Sequence, residues 1–205
     1  MALTTYSELQ AAVADWLDRT DLTSAIQDFI RLAEADMNRK VLHYRRGKRA
    51  TVTADSRYTA LPTDFHTLRR LYLDGANAAL IPLTQPQMQD YRWRSTDSSG
   101  EPCYYTVTGD EIELYPTPDT SYTMEMSYFA DLPVLSDANT SNWLLDEAPD
   151  AYLYGALVAS APYLIEDARL QSWGTLYQQA IDALNADSQR AVWGNNLAMR
   201  KRNIG

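Results

Sequence analysis

Two histidines, His43 and His66, and one cysteine, Cys103, are the side chains in this 205-residue sequence best suited to proton transfer, nucleophilic attack or metal binding. A Cys103–His66 pair could in principle generate a thiolate nucleophile, but no motif frames either residue. The three positions do not follow the spacing of a zinc site. The glycines form neither Gly-x-Gly-x-x-Gly nor Gly-x-x-x-x-Gly-Lys, so no phosphate-cradling loop is expected. The 27 acidic residues are scattered. Glu34 and Asp36 fall on what reads as the polar side of a helix, where solvation is the simplest role. Cys103 is expected to be a small buried residue in a strand. The sequence therefore points away from an enzyme and implies no cofactor and no metal.

Charge is more informative. The net charge is -9, which disfavours general affinity for nucleic acid. Yet Arg39, Lys40, Arg45, Arg46, Lys48 and Arg49 fall together with no acid among them, and Arg190, Arg200, Lys201 and Arg202 lie in an acid-free C-terminal stretch. These ten account for more than half of the 18 basic residues. Basic patches on an acidic body suit oriented contacts with other chains or with further copies of the same chain. The 39–49 segment also interleaves Tyr44 with its cations, a pattern compatible with phosphate contact and base stacking, so a nucleic-acid-binding module is the alternative reading.

The elements that must position these groups are legible in part. Thr5 and Glu8 form a capping box ahead of Leu9, Val13, Trp16 and Leu17 at helical spacing. Thr20 or Asp21 can cap a second helix, in which Leu22, Ile26, Phe29, Ile30, Ala33, Met37 and Val41 recur on one side. From Ala50 the period becomes alternating. Residues 51–53 and 58–61 flank Asp55-Ser56 as an expected hairpin, and 104–107 with 111–114 flank Gly109-Asp110 as another. Tyr122, Met124, Met126 and Tyr128 alternate with polar residues as a half-buried strand. A short helix over 84–93 tolerates Pro86 in its first turn. Residues 131–145 read as irregular, with Asp146 capping the helix that follows.

The expected fold class is α+β: terminal helices over 5–18, 21–43, 148–161 and 165–187 packed as a bundle, with an antiparallel β-rich lobe inserted over 50–130. Residues 1–188 are expected to form a single domain and 189–205 an extended tail. The opening Met1–Tyr6 has neither the basic start nor the apolar run of a secretory signal. No apolar run reaches the ~18 residues that a membrane helix needs. A lone cysteine fits a reducing compartment.

Aromatic residues are abundant, with 14 tyrosines and 5 tryptophans. Trp16, Trp173 and Tyr177 sit on helical stripes and are expected in the core. Trp193 lies in the tail, where a partner would have to cover it.

Several segments in order carry a resemblance. They begin with Tyr6-Ser7-Glu8-Leu9, then Trp16 to Leu22, and Phe29 to Ala35. Leu61-Pro62-Thr63-Asp64-Phe65 follows, then the Gly100 to Pro118 hairpin, Tyr128-Phe129-Ala130 and Leu135-Ser136-Asp137. Last come Tyr154-Gly155-Ala156-Leu157, Asp167 to Leu170 with Trp173, and Tyr177 with Ala180 and Leu184. Their sequence and spacing resemble the head–tail adaptor (connector) proteins of tailed bacteriophages, the group that includes the tail tubular A type and the adaptors of gene transfer agents. The resemblance implies a virion protein made in the host bacterial cytoplasm. It implies a homo-oligomeric ring of about twelve copies under the portal protein, a platform for tail or nozzle proteins, and passage of duplex DNA through the lumen without sequence-specific binding. It implies no enzymatic activity. Under it, Trp193, Leu197, Met199, Arg200, Lys201 and Arg202 are candidates for portal binding, and Arg39, Lys40, Arg45, Arg46, Lys48 and Arg49 for a subunit interface or a DNA-facing surface.

Overall fold

The computed structural model describes residues 3–75, 79–94, 98–164 and 169–193, the last of these, Trp193, by its backbone. The chain is α+β and divides into two compact units. One comprises Met1–Tyr44 with Leu132–Gly205, the other Arg45–Asp131.

The first unit is helical. Helix α1 (Tyr6–Leu17) starts on the expected capping box: the Glu8 N–H donates to Thr5 Oγ1 at 3.3 Å and the Thr5 N–H donates to Glu8 Oε2 at 3.1 Å. Helix α2 (Thr23–Lys40) starts without the side-chain cap expected from Thr20 or Asp21, and its N-cap position is Leu22. The C-terminal part supplies α4 (Trp143–Glu147), α5 (Pro149–Ala159) and α6 (Leu170–Trp193). Helix α5 is the centre of the unit, with α1, α2, α4 and α6 all packed on it. Ala151, Tyr152, Leu153, Gly155, Ala156 and Leu157 are all buried, so apolar residues cover it nearly all round rather than along one stripe. Close approach requires a small residue at its middle. A Cβ on Gly155 would lie 3.1 Å from the Tyr177 ring and 3.2 Å from the Ala33 Cβ.

Helix α6 runs on through 189–193, which the sequence reads as extended. Its last turns are held by polar contacts instead of an apolar stripe. Asn185 Oδ1 accepts from the Leu42 N–H (2.7 Å), Asn185 Nδ2 donates to the Lys40 carbonyl (3.1 Å), and Ser188 Oγ accepts from the Tyr44 N–H (2.8 Å). These contacts satisfy backbone groups just past the end of α2.

Residues 132–142 are also more ordered in their bonding than their composition suggests. Leu132 and Leu135 are buried, and their N–H groups donate to Asn38 Oδ1 (3.2 Å) and Glu34 Oε1 (2.8 Å) on α2. Asp146 does not cap the helix that begins at Pro149, whose N-cap position is Ala148 and which has no side-chain cap. Asn142 is a cap further upstream: its Oδ1 accepts from the N–H groups of Leu144 and Leu145 at 3.1 and 2.9 Å. It caps α4, a short helix ahead of α5.

The second unit holds two sheets around one core. In the first, β1 (Gly47–Ala54) and β3 (Phe65–Leu73) flank β7 (Tyr122–Ala130), all antiparallel. In the second, the order is β2 (Tyr58–Ala60), β6 (Glu111–Tyr115), β5 (Tyr104–Thr108) and β4 (Ile81–Pro82), with β4 parallel to β5. That parallel pair departs from the all-antiparallel expectation. Leu71, Leu73, Met124 and Met126 from the first sheet meet Ile112 and Leu114 from the second. The β5–β6 hairpin forms as expected, with Gly109 at φ +60° in its turn. The hairpin expected from 51–53 and 58–61 does not form. β1 pairs with β7 and β2 with β6, so the Asp55-Ser56 turn carries the chain from one sheet to the other. Local alternation shows that a segment is a strand but not which strand it will pair with. Helix α3 (Gln85–Arg94) covers the second sheet: its Arg92 donates to Glu113 Oε1 (2.7 Å) and its Tyr91 ring lies 5.0 Å from that of Tyr104.

Two side-chain expectations are corrected. Trp16 is 42% exposed, its ring edge-on to Tyr154 at 5.9 Å. Cys103 is exposed and precedes β5 instead of sitting buried within a strand. Trp173 and Tyr177 are buried, as their spacing predicts.

Candidate interaction surface

The residues with catalytic potential lie apart in their bonding. His66 Nδ1 is 2.9 Å from Asp131 Oδ1, while the Cys103 thiol donates to the Glu101 carbonyl at 3.6 Å. His43 is buried and stacked on Trp143, ring centroids 5.0 Å apart. Among the described residues no group of three His, Cys, Asp or Glu side chains is placed to hold a metal ion, and no helix is long and apolar enough to cross a membrane.

The basic segment 39–49 is spread over both units, and most of its charges are engaged. Arg39 and Lys40 pair with Asp36 on α2, at 3.3 and 2.7 Å. Burial pushes the Asp36 carboxyl up, but Lys40, the Tyr177 hydroxyl and Arg39 together hold it below the usual range. Arg45 is exposed. Arg46 is only 2% exposed; its Nε donates to the Ala130 carbonyl at 2.9 Å, and burial lowers its affinity for a proton. Lys48 donates to Asp64 at 2.5 Å, which draws the Asp64 carboxyl below its ordinary range. The Tyr128 hydroxyl also donates to Asp64 (2.9 Å) and is pushed up to about 12 by burial and by that carboxylate. Arg49 pairs with Glu125 on β7. Of the portal-binding candidates, Trp193 is the last residue of α6, and Leu197, Met199, Arg200, Lys201 and Arg202 lie outside the described residues.

Register in the β1-β7-β3 sheet nevertheless assembles a basic face. Ala50, Val52, Met124, Met126, Leu71 and Leu73 point to the core, so the intervening residues share the opposite face. There Arg49 and Thr51 stand on β1, Glu125 and Ser127 on β7, and Arg70 and Tyr72 on β3. A bulge between Leu68 and Arg70 turns Arg69 over the Phe129 ring at 4.9 Å. Arg70 donates to the Tyr72 hydroxyl at 2.9 Å. Among the described residues of these three strands, three exposed arginines therefore share this face with one carboxylate, Glu125, and several hydroxyls. Arg69 and Arg70 escape a search for basic runs. The signal that reveals them is the alternation of β3 read against its partner strand.

The first unit contains a second polar arrangement hidden from the sequence. Glu34, expected on the polar side of α2, is 5% exposed. Its Oε1 accepts from the Leu135 N–H and, at 3.1 Å, from the Tyr152 hydroxyl. That hydroxyl accepts in turn from Asn142 Nδ2 at 2.6 Å. Burial raises the Glu34 carboxyl above its ordinary range, and burial together with Glu34 raises Tyr152. The network ties α2 to α5 and to the 132–142 segment.

None of these arrangements supplies a nucleophile with its base or an open metal position. They supply exposed, oriented charge on the second unit and a buried polar network in the first. The family model described as SU10 adaptor protein matches residues 4–200 of the chain. No curated protein matches it.

Proposed function

Because this chain belongs to the SU10 adaptor protein family, a family of phage head–tail adaptors, we propose that it works as a ring of about twelve copies beneath the portal, closing the packaged head and seating the tail. As a phage adaptor it is a structural component of the virion and meets head and tail proteins. The family match over 4–200 carries this reading, and it covers both compact units.

The geometry supports it physically. A ring requires two unlike faces on each copy that meet head to tail. The Arg49, Arg69 and Arg70 face is one candidate, and the chain's acidic balance of -9 supplies surfaces of opposite sign. An acidic lumen repels phosphates and lets duplex DNA slide without sequence-specific binding. The alternative, a nucleic-acid-binding module built on 39–49, draws less support: Arg46 is buried, and Arg39, Lys40, Lys48 and Arg49 are already paired with carboxylates.

Native mass measurement of the protein with and without its portal tests the ring. We expect a discrete complex carrying many copies when portal is present. A protein that stays unbound at every ratio of portal overturns the reading, and steep, salt-dependent binding to duplex DNA in its place favours the alternative.

Portal attachment is assigned to the C-terminal residues Trp193, Leu197, Met199 and Arg200 to Arg202. Because α6 runs on to Trp193, the informative truncation begins after that residue, and Trp193 is tested separately by Trp193→Ala. Removing 194–205 is expected to abolish portal binding, and Trp193→Ala to weaken it. Undiminished binding in both variants removes the assignment.

A further inference from the structure

A pocket of about 310 Å³ opens in the first unit between α1, α2 and the 134–137 turn. Among the described residues that line it, the carboxylates are Asp28, Glu34 and Asp137, and Arg31 is the one cation. All three carboxylates act on the same point, for each raises the Tyr6 hydroxyl, whose largest perturbation is burial. Ile30, Val134 and Leu135 supply apolar wall. Glu34 is more than nine-tenths buried, and its Oε2 has no hydrogen-bond partner among the described residues. An unpaired buried carboxylate oxygen costs stability unless a donor reaches it. The pocket therefore has the chemistry of a socket for a long basic side chain, with carboxylates for the charged head and apolar wall for the stem.

We propose that this pocket receives an arginine of a second copy of the chain, Arg69 or Arg70 of the basic face, and so forms part of a head-to-tail contact between neighbouring copies. Charge complementarity selects that occupant: the face carries three exposed arginines to one carboxylate, and the pocket three carboxylates to one arginine. Socket and face are different surfaces, as a contact that propagates around a ring demands. This inference depends on the ring proposed above.

Assembly of the full chain on portal, followed by native mass measurement, tests it with two pocket variants. Asp137→Arg reverses an exposed charge at the pocket and should not disturb folding. Glu34→Gln keeps the side chain's shape and removes the buried charge. Each is expected to raise the protein concentration needed for half-maximal assembly about tenfold or more, with portal attachment of single copies retained. In the Asp137→Arg background, replacing Arg69 or Arg70 by Glu is expected to restore assembly, which a merely structural role for the pocket would not allow. If both pocket variants assemble like the wild type, the socket is overturned while the ring stands. If both fail and no reciprocal charge reversal restores assembly, the second copy is overturned as the occupant. A wild-type chain that forms no ring overturns the ring and this contact together.

Discussion

Burial holds the Glu34 carboxyl above the range of an ordinary glutamate, and the sign of the consequence is fixed. Between the unfolded and folded values the native state binds more protons than the unfolded chain, so stability falls as pH rises through that window. The contribution is complete below the ordinary glutamate value and lost above the raised one. Asp36 and Asp64 are shifted downward and act in the opposite sense at lower pH, so the difference between two proteins isolates Glu34. Thermal melts of Glu34→Gln against wild type, from acid to neutral pH, should diverge as pH rises, the variant becoming the more stable. Parallel curves would show that Glu34 does not carry the effect. Helical spacing places this residue on the buried side, four residues past Ile30 and three before Met37, and only its acidic type argues for solvent. What the sequence hides is its partners, Leu135 and Tyr152, about a hundred residues away in the chain. Arg46 was obscured for the same reason, since the carbonyl that binds it belongs to Ala130.

Among the helices, α5 makes the strictest demand. At Gly155 an added methyl would press on Tyr177 and Ala33, whereas at Gly174 on α6 none of the described residues comes within 4 Å of the same methyl. Gly155→Ala is expected to cost roughly 1–3 kcal/mol by overpacking. Gly174→Ala should gain about 0.5–1 kcal/mol from helix propensity and a less flexible unfolded chain. Denaturant titration of the two variants compares them directly, and a stabilising Gly155→Ala would mean that α5 can shift away from α2 and α6. Elements of this kind were legible where one repeating pattern governs them. The α1 capping box, the stripe on α2, the β5–β6 hairpin and the alternation of β7 all appear as expected. The failures share a cause. The pairing of β1 with β7, the order in 132–142 and the continuation of α6 to Trp193 depend on partners far away in sequence, and Asn, Ser and Glu side chains leave no hydrophobic period to read.

For the molecule as a whole, the sequence conveyed the α+β class and the family through the order of many weak segments, but not the surface on which its arginines gather. That surface exists only once β1 and β3 lie on either side of β7. The second unit has its own core, drawn from both sheets, and each of its sheets is complete within 45–131. Residues 45–131 produced alone should therefore fold cooperatively, with a strand-rich circular dichroism spectrum and a single melting transition. A fragment without such a transition would show that the unit needs the helices to hold its shape. The unit's first and last strands are direct partners, Gly47 opposite Phe129, so its two ends emerge side by side. A segment tethered at one spot behaves as a cassette: it can be exchanged for another of similar footprint, or enlarged at its far turns, without rerouting the helices that precede and follow it.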